Sequence, residues 1–309
     1  MLGILGGGFG LYGYLPAAVD SGINDVLLLT KYRKIVENRR ELKKYQTNIA
    51  WLDSDQKLIN LASTLVIARR PSDQLMLIPK LVTQGNLETI ILEKPIAPTP
   101  ESALRILETI EQSNKRCLAG FILRYLPWFL DLKEKLASRS FTTSQTLHLT
   151  WFFLAHHFAE ETETWKKNHN HGGGVIRFFG IHIIAALSEL GFTKVISSEV
   201  GGRSQIHKNS LWRAAFKGTG LPEFRVELDS ASLDPYFSIT GWQAESRIYA
   251  DHDIFPSLHN RNTLHKEDKR SVYLRKLLLD SLAPANSEAI SLKKVNALWE
   301  EVESQTVFF

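Results

Sequence analysis

Short apolar runs alternate with helically spaced apolar positions through the first third of the chain. Leu2–Leu5, Val26–Thr30, Leu65–Ala68 and Thr89–Leu92 read as strands, each followed by glycine or polar punctuation. The stretch from Tyr12 through Asp20 predicts a helix. Asp73–Gln84 predicts another, with Leu75, Leu77, Ile78, Leu81 and Val82 on its apolar side. Thr99-Pro100-Glu101 opens a third with an N-cap oxygen, a proline in the first turn and an acid at the positive dipole end. Such alternation implies a parallel sheet covered by helices. The pattern changes after about residue 120. Leu147–Phe153, Val195–Gly201, Leu211–Phe216, Phe224–Asp229 and Tyr236–Thr240 read as strands joined without helices, so a mostly antiparallel sheet is expected. Leu274–Leu282 and Leu292–Val302 read as closing helices. The expected architecture is α/β over residues 1–120 and α+β over residues 121–309.

The glycine-rich start adds chemistry to that pattern. Residues 3–18 read GILGGGFGLYGYLPAA and hold two overlapping G-x-G-x-x-G frames, one from Gly6 to Leu11 and one from Gly8 to Gly13. A dinucleotide-binding turn needs its first glycine at the end of the first strand. The strand ends at Leu5, so the Gly6 frame is preferred, and Gly8 allows close approach of a pyrophosphate. Phe9 and Gly10 complete the loop ahead of the helix N-terminus. With Leu11 at the third position, Gly10 and Gly13 are left to relieve crowding. The competing reading is a glycine-rich turn of some other α/β protein. At the end of the second strand stand Thr30, Lys31, Tyr32 and Arg33, where an NAD site would place an acid. A hydroxyl with two cations suits a 2′-phosphate, which favours NADP(H) over NAD(H). The alternative there is a solvated, basic helix start.

"ILEKPIAPTP" puts Glu93 and Lys94 at the carboxyl end of a predicted parallel strand, the edge where open α/β sheets bind ligands. Lys94 can exchange a proton near neutrality only if desolvation and a positive nicotinamide ring lower its affinity for it. "HNHGGGVIRFFGIHIIAAL" turns on Gly172–Gly174 into a helix from about Val175. On it Phe178 and His182, four residues apart, are expected to share a face. His182 can equally be a satisfied core histidine. His157, read as strand-borne, and Arg124 are candidate substrate contacts.

Composition narrows the class. The 309 residues are 44% hydrophobic and 23% charged with net charge +4, an ordinary globular balance too weakly basic to argue for nucleic acid. The lone Cys117 removes any disulfide framework or multi-cysteine metal site. His156, His157, His169, His171 and His182 crowd one stretch but match no strong zinc spacing, so no metal is expected. The N-terminus lacks the basic flank of a signal peptide, and no apolar run approaches membrane-spanning length. A cytoplasmic protein with no membrane partner is expected.

Together "GILGGGFG", "LVIARRPSDQ", "EKP", "AGFILRYLP" and "W…GGGVIRFFGIH" resemble the Gfo/Idh/MocA oxidoreductases over most of the chain. The resemblance implies a Rossmann dinucleotide-binding domain, residues 1–120, followed by a substrate-binding and dimerisation domain, residues 121–309. It implies a homodimer or higher homo-oligomer. It places Ala68, Arg69, Arg70, Gln74, Glu93 and Lys94 beside the coenzyme, with Lys94 and His182 as catalytic residues. Arg124, His157 and Phe178 join them as substrate contacts. Phe178 stands where the family carries an Asp that helps bind and deprotonate the reacting hydroxyl. Gln74 and Ile122 stand where many members carry His and Asn. The implied activity is NAD(P)-dependent hydride transfer to or from a carbohydrate-like or other small carbonyl or alcohol substrate. A nucleotide-binding sensor without turnover, or an aromatic or tetrapyrrole reductase, are the alternatives that Phe178 raises.

Overall fold

A computed structural model describes residues 1–160, 162–202, 209–241, 247–251, 254, 268, 270–283 and 290–309. The chain forms two compact units. The first comprises residues 1–97, 102–122 and 260–292; the second comprises residues 98–101, 123–259 and 293–309. Residues 260–292, counted with the second domain in the sequence reading, thus fall in the first unit.

The first unit is built on a six-stranded parallel sheet. Its strands are β1 (Leu2–Leu5), β2 (Val26–Leu29), β3 (Ile49–Leu52), β4 (Thr64–Ile67), β5 (Thr89–Leu92) and β6 (Arg116–Ala119), in the order β3-β2-β1-β4-β5-β6. This is the doubly wound order, with the switch of direction between β1 and β4. The apolar start of the chain is therefore a central strand, and every residue of β1 is buried. Gly3 has a packing reason: a Cβ there would lie 2.6 Å from Leu58 on the Asp55–Leu61 helix. Two strands, β3 and β6, go beyond the sequence reading. All four residues of β3 are only half-buried, so its apolar signal is weak.

The second unit holds a seven-stranded mixed sheet. Its strands are β7 (Thr146–Leu154), β8 (Lys194–Gly201), β9 (Leu211–Lys217), β10 (Glu223–Asp229), β11 (Ala231–Thr240), β12 (Arg247–Asp251) and β13 (Thr306–Phe308), in the order β12-β11-β7-β10-β9-β8-β13. Most neighbours pair antiparallel, as expected, while β7/β10 and β8/β13 pair parallel. The expectation of strands without intervening helices fails between β7 and β8. Helical turns and the Ile181–Glu189 helix occupy that connection. Residues His169–Glu189 do reach membrane-spanning length and composition, contrary to the sequence reading. However, 72% of that window is buried, as in a core helix.

Candidate active site

β1 ends at Leu5, and the backbone turns at Gly6 with φ +150°. A Cβ on Gly6 would lie 2.2 Å from the Ala68 carbonyl oxygen, so neither the dihedral nor the space admits a side chain. Gly8 differs. It is exposed, with open space where a Cβ would project, and its carbonyl accepts from the Leu11 N–H at 2.9 Å to start the next turn. A π-helical turn over Gly10–Tyr14 then runs into the Leu15–Asp20 helix. Bare main chain at the start of a helix and at the sheet's switch point fits a pyrophosphate. The Gly6 frame is the one that fits. Gly13, which ends the other frame, serves packing: a Cβ there would meet the Phe9 ring at 2.5 Å and Leu274 at 2.8 Å.

At the end of β2, Thr30–Tyr32 form a 3₁₀ turn and Arg33 opens a helix. Lys31 Nζ lies 5.2 Å from the Tyr32 ring centre. Tyr32 in turn lies over Gly7, whose Cβ would be 2.5 Å from the ring. Arg33 bonds Glu37 at 2.9 Å, its side chain still 51% exposed, and its guanidinium is 6.0 Å from the Trp51 ring centre. After β4, Ala68 abuts the glycine turn, but Arg69 is tied to Asp55 at 2.6 Å and Arg70 is the N-cap of the Pro71–Leu81 helix.

Gln74, on that helix and fully buried, clamps the EKP turn. Its amide nitrogen donates to the carbonyls of Glu93 (2.8 Å) and Pro95 (2.9 Å), and its oxygen accepts from the Glu93 N–H at 3.0 Å. Glu93 is buried, and its carboxyl accepts from the Tyr14 hydroxyl at 2.7 Å and the Lys94 N–H at 3.2 Å. Burial pushes this carboxyl above its usual 4.5. The Lys94 charge, the Tyr14 hydrogen bond, the Arg270 charge and the Lys94 N–H oppose the rise. Lys94 follows at the carboxyl edge, half-buried.

Sequence reasoning missed Tyr14, Tyr32 and Arg270. The Arg270 guanidinium stacks 4.2 Å from the Phe9 ring centre and is forked onto Asp268. No local signal could place it there, because more than two hundred residues separate it from the glycine turn.

In the second unit, His157 lies on a short helix, His156–Ala159, rather than on a strand; β7 ends at Leu154, before it. It is buried among aromatic rings: stacked on Phe179 at 6.0 Å and edge-on to Phe178 at 6.4 Å. Burial, then the charges of Lys166, Lys167 and His156, push its imidazole down to about 4. Phe178 sits in a π-helical turn, Val175–Gly180, half-buried against Trp165 at 5.4 Å, with Lys166 Nζ 5.3 Å from its ring centre. His182 follows on Ile181–Glu189, 5% exposed. Arg124 is bonded to Glu189 at 3.0 Å. Among the described residues the histidines and acids form no group of three able to hold a metal ion.

No family model matches the chain. Among curated proteins, YteT of Bacillus subtilis (strain 168), named as an oxidoreductase, is 26% identical over 111 residues, which is 36% of this chain and 26% of that protein. The match thus spans about a quarter of that relative's length. Solved structures align over nearly the whole chain. The WlbA dehydrogenase of Bordetella pertussis, in complex with NADH and UDP-GlcNAcA, has a TM-score of 0.73 at 12% identity, covering 98% of this chain and 95% of that one. A myo-inositol dehydrogenase of Corynebacterium glutamicum has a TM-score of 0.69 at 15% identity, covering 98% and 94%. The chain has the Gfo/Idh/MocA fold. Within it, the glycine turn and Lys94 stand on the carboxyl edge of the first unit's sheet, and His182 stands on a core helix of the second.

Proposed function

We propose that the chain is an NAD(P)-dependent oxidoreductase, with NADP(H) preferred, acting on a carbohydrate-like or other small carbonyl or alcohol substrate. One observation carries the reading: a side-chain-free turn at the switch point of a doubly wound sheet, with a lysine on the same sheet edge. Gly6, Gly8 and Gly10 would hold the pyrophosphate, and Thr30, Lys31 and Arg33 the 2′-phosphate. Arg69 is neutralised by Asp55 and adds little to that charge. WlbA and myo-inositol dehydrogenase, which share the fold, support sugar-like substrates.

A bound nicotinamide coenzyme supplies or accepts the hydride. Lys94, as an ammonium, gives its proton to the oxygen of a carbonyl being reduced, and is reprotonated from solvent; oxidation runs the same transfer backwards. His182 would help to hold that oxygen. Phe178 cannot move a proton, so Lys94 carries the transfer more nearly alone. A second copy of the chain would cover the open face of the second sheet, where Ile196 is 47% exposed beside the Arg213–Glu227 pair. The lone cysteine suits a reducing cytoplasm.

Purified protein incubated with NADPH and a panel of sugar and small carbonyl compounds is expected to oxidise the coenzyme. Lys94→Ala is expected to abolish turnover while keeping coenzyme binding; unchanged turnover would remove Lys94 from the chemistry. Phe178 favours a second reading, a coenzyme-binding sensor, for which binding would persist with no turnover on any substrate.

A further inference from the structure

We infer that Arg270 is a coenzyme-binding residue brought in from the far end of the chain: its guanidinium, laid on Phe9, would meet the pyrophosphate held by the glycine turn. The inference rests on the coenzyme reading above and supplies a cation which that reading leaves out. Main-chain N–H groups and a helix dipole answer only part of the charge of a pyrophosphate. Lys31 and Arg33 are assigned to the 2′-phosphate, and Arg69 is tied to Asp55.

The position of Arg270 is fixed from three sides, all within the first unit. Phe9 belongs to the glycine turn itself, between Gly8 and Gly10. Its ring is held edge-on to Tyr14, with centroids 5.7 Å apart, and fills the space that bare Gly13 leaves, 2.5 Å from where a Cβ would stand. The Arg270 Cζ lies 4.2 Å from the centre of this ring, well inside the range of a cation–π contact. Leu274, on the Ser271–Leu282 helix that Arg270 caps, packs at the same glycine, 2.8 Å from that Cβ position. The helix and its first cation are thus anchored to one turn. The Arg270 charge also reaches the buried Glu93 carboxyl, which puts it on the carboxyl edge of the sheet.

Asp268 sets the direction of the fork. Its carboxylate accepts from Nε at 2.9 Å and from Nη2, and also from the Arg270 N–H at 3.0 Å. A guanidinium carries five donors, more than one carboxylate takes up, so it can bridge a carboxylate and a phosphate. Stacking on an aromatic face leaves those in-plane donors directed outward. Lysine could supply the charge at this place but neither the fork nor the stack.

The test is calorimetric binding to the full chain, wild type against Arg270→Gln, with four probes. NADPH, NADH and ADP-ribose carry a pyrophosphate; adenosine 2′-monophosphate does not. Arg270→Gln is expected to weaken the first three about tenfold, the worth of one hydrogen bond to a charged group, and to leave the fourth unchanged. The preference between NADPH and NADH is expected to stay as in wild type. Unchanged affinity for the pyrophosphate probes would overturn the inference, and so would an equal loss for all four, which marks general damage to the unit. Should Arg270→Gln not fold, Arg270→Lys decides by the same comparison. Wild type that binds no coenzyme rejects the proposed function and this inference together; wild-type binding with unaffected variants rejects only the role of Arg270.

Discussion

Gln74 and His157 show how single side chains earn their places here by means other than the contacts expected of them. The family resemblance implies Gln74 as a coenzyme contact, and in the structure its amide holds the main chain at Glu93 and Pro95. Gln74→Leu would take this donor from the buried Glu93 and Pro95 carbonyls, while the Glu93 N–H keeps the Ile67 carbonyl at 3.0 Å, costing about 1–3 kcal/mol. The melting temperature should fall, and turnover should fall further than coenzyme affinity because Lys94 rides on the same turn. Equal losses in both would contradict the clamp. His157 carries the acid sensitivity of the second unit. Its imidazole is pushed from 6.5 down to about 4, so between those values the unfolded chain binds a proton that the folded chain does not. Stability is therefore full above pH 6.5 and is lost as pH falls towards 4. His157→Phe should flatten that decline in melting temperature. His148 and His169, also held down by burial first, leave a residual slope of the same sign. Glu93, raised above 4.5, acts in the opposite sense: its contribution is present at low pH and lost as pH rises through its folded value. A variant melting curve that tracks wild type from pH 7 to pH 5 would refute the role of His157.

At the scale of elements, what could be read in the sequence was whatever had a local cause. Strands β1, β2, β4 and β5 are buried throughout and bounded by glycine or polar residues, so their apolar runs stand out. β13, three residues with an exposed end, has no such run; it forms because Thr306–Phe308 pair with Ser198–Val200 across the fold. The glycine turn was legible for the same reason as β1, and the choice of its frame rests on where the strand ends. The jobs of Gly7 and Gly13 could not, since Tyr32 and Leu274 approach them from other elements. These glycines should therefore respond differently to substitution. Gly6→Ala sets a Cβ against main chain in a conformation that favours glycine, so coenzyme binding should be lost. Gly8→Ala projects into open space in the free protein, so fold stability should stay within about 0.5 kcal/mol of wild type while coenzyme affinity falls. Equal destabilisation of the free protein by both would argue against the assigned frame.

Across the whole molecule, the central claim is that the first unit's sheet exists to seat a nicotinamide coenzyme. Its parallel pairing was foreseeable from the alternation of strand and helix patterns; the order of its strands was not. That residues 260–292 return to the same unit was not, because no periodicity reports which unit a helix joins. That return brings Arg270 onto Phe9 and so adds a cation to the edge of the glycine turn. The direct measurement is a thermal-shift titration of the purified chain with NADPH and with NADH. A ligand that binds only the folded state raises the melting temperature in step with its affinity. Both coenzymes should stabilise the fold, NADPH at lower concentration than NADH, and Lys31→Ala with Arg33→Ala should erase the difference. If neither coenzyme shifted the melting temperature at any concentration, the sheet would not be a coenzyme site and the account would fail.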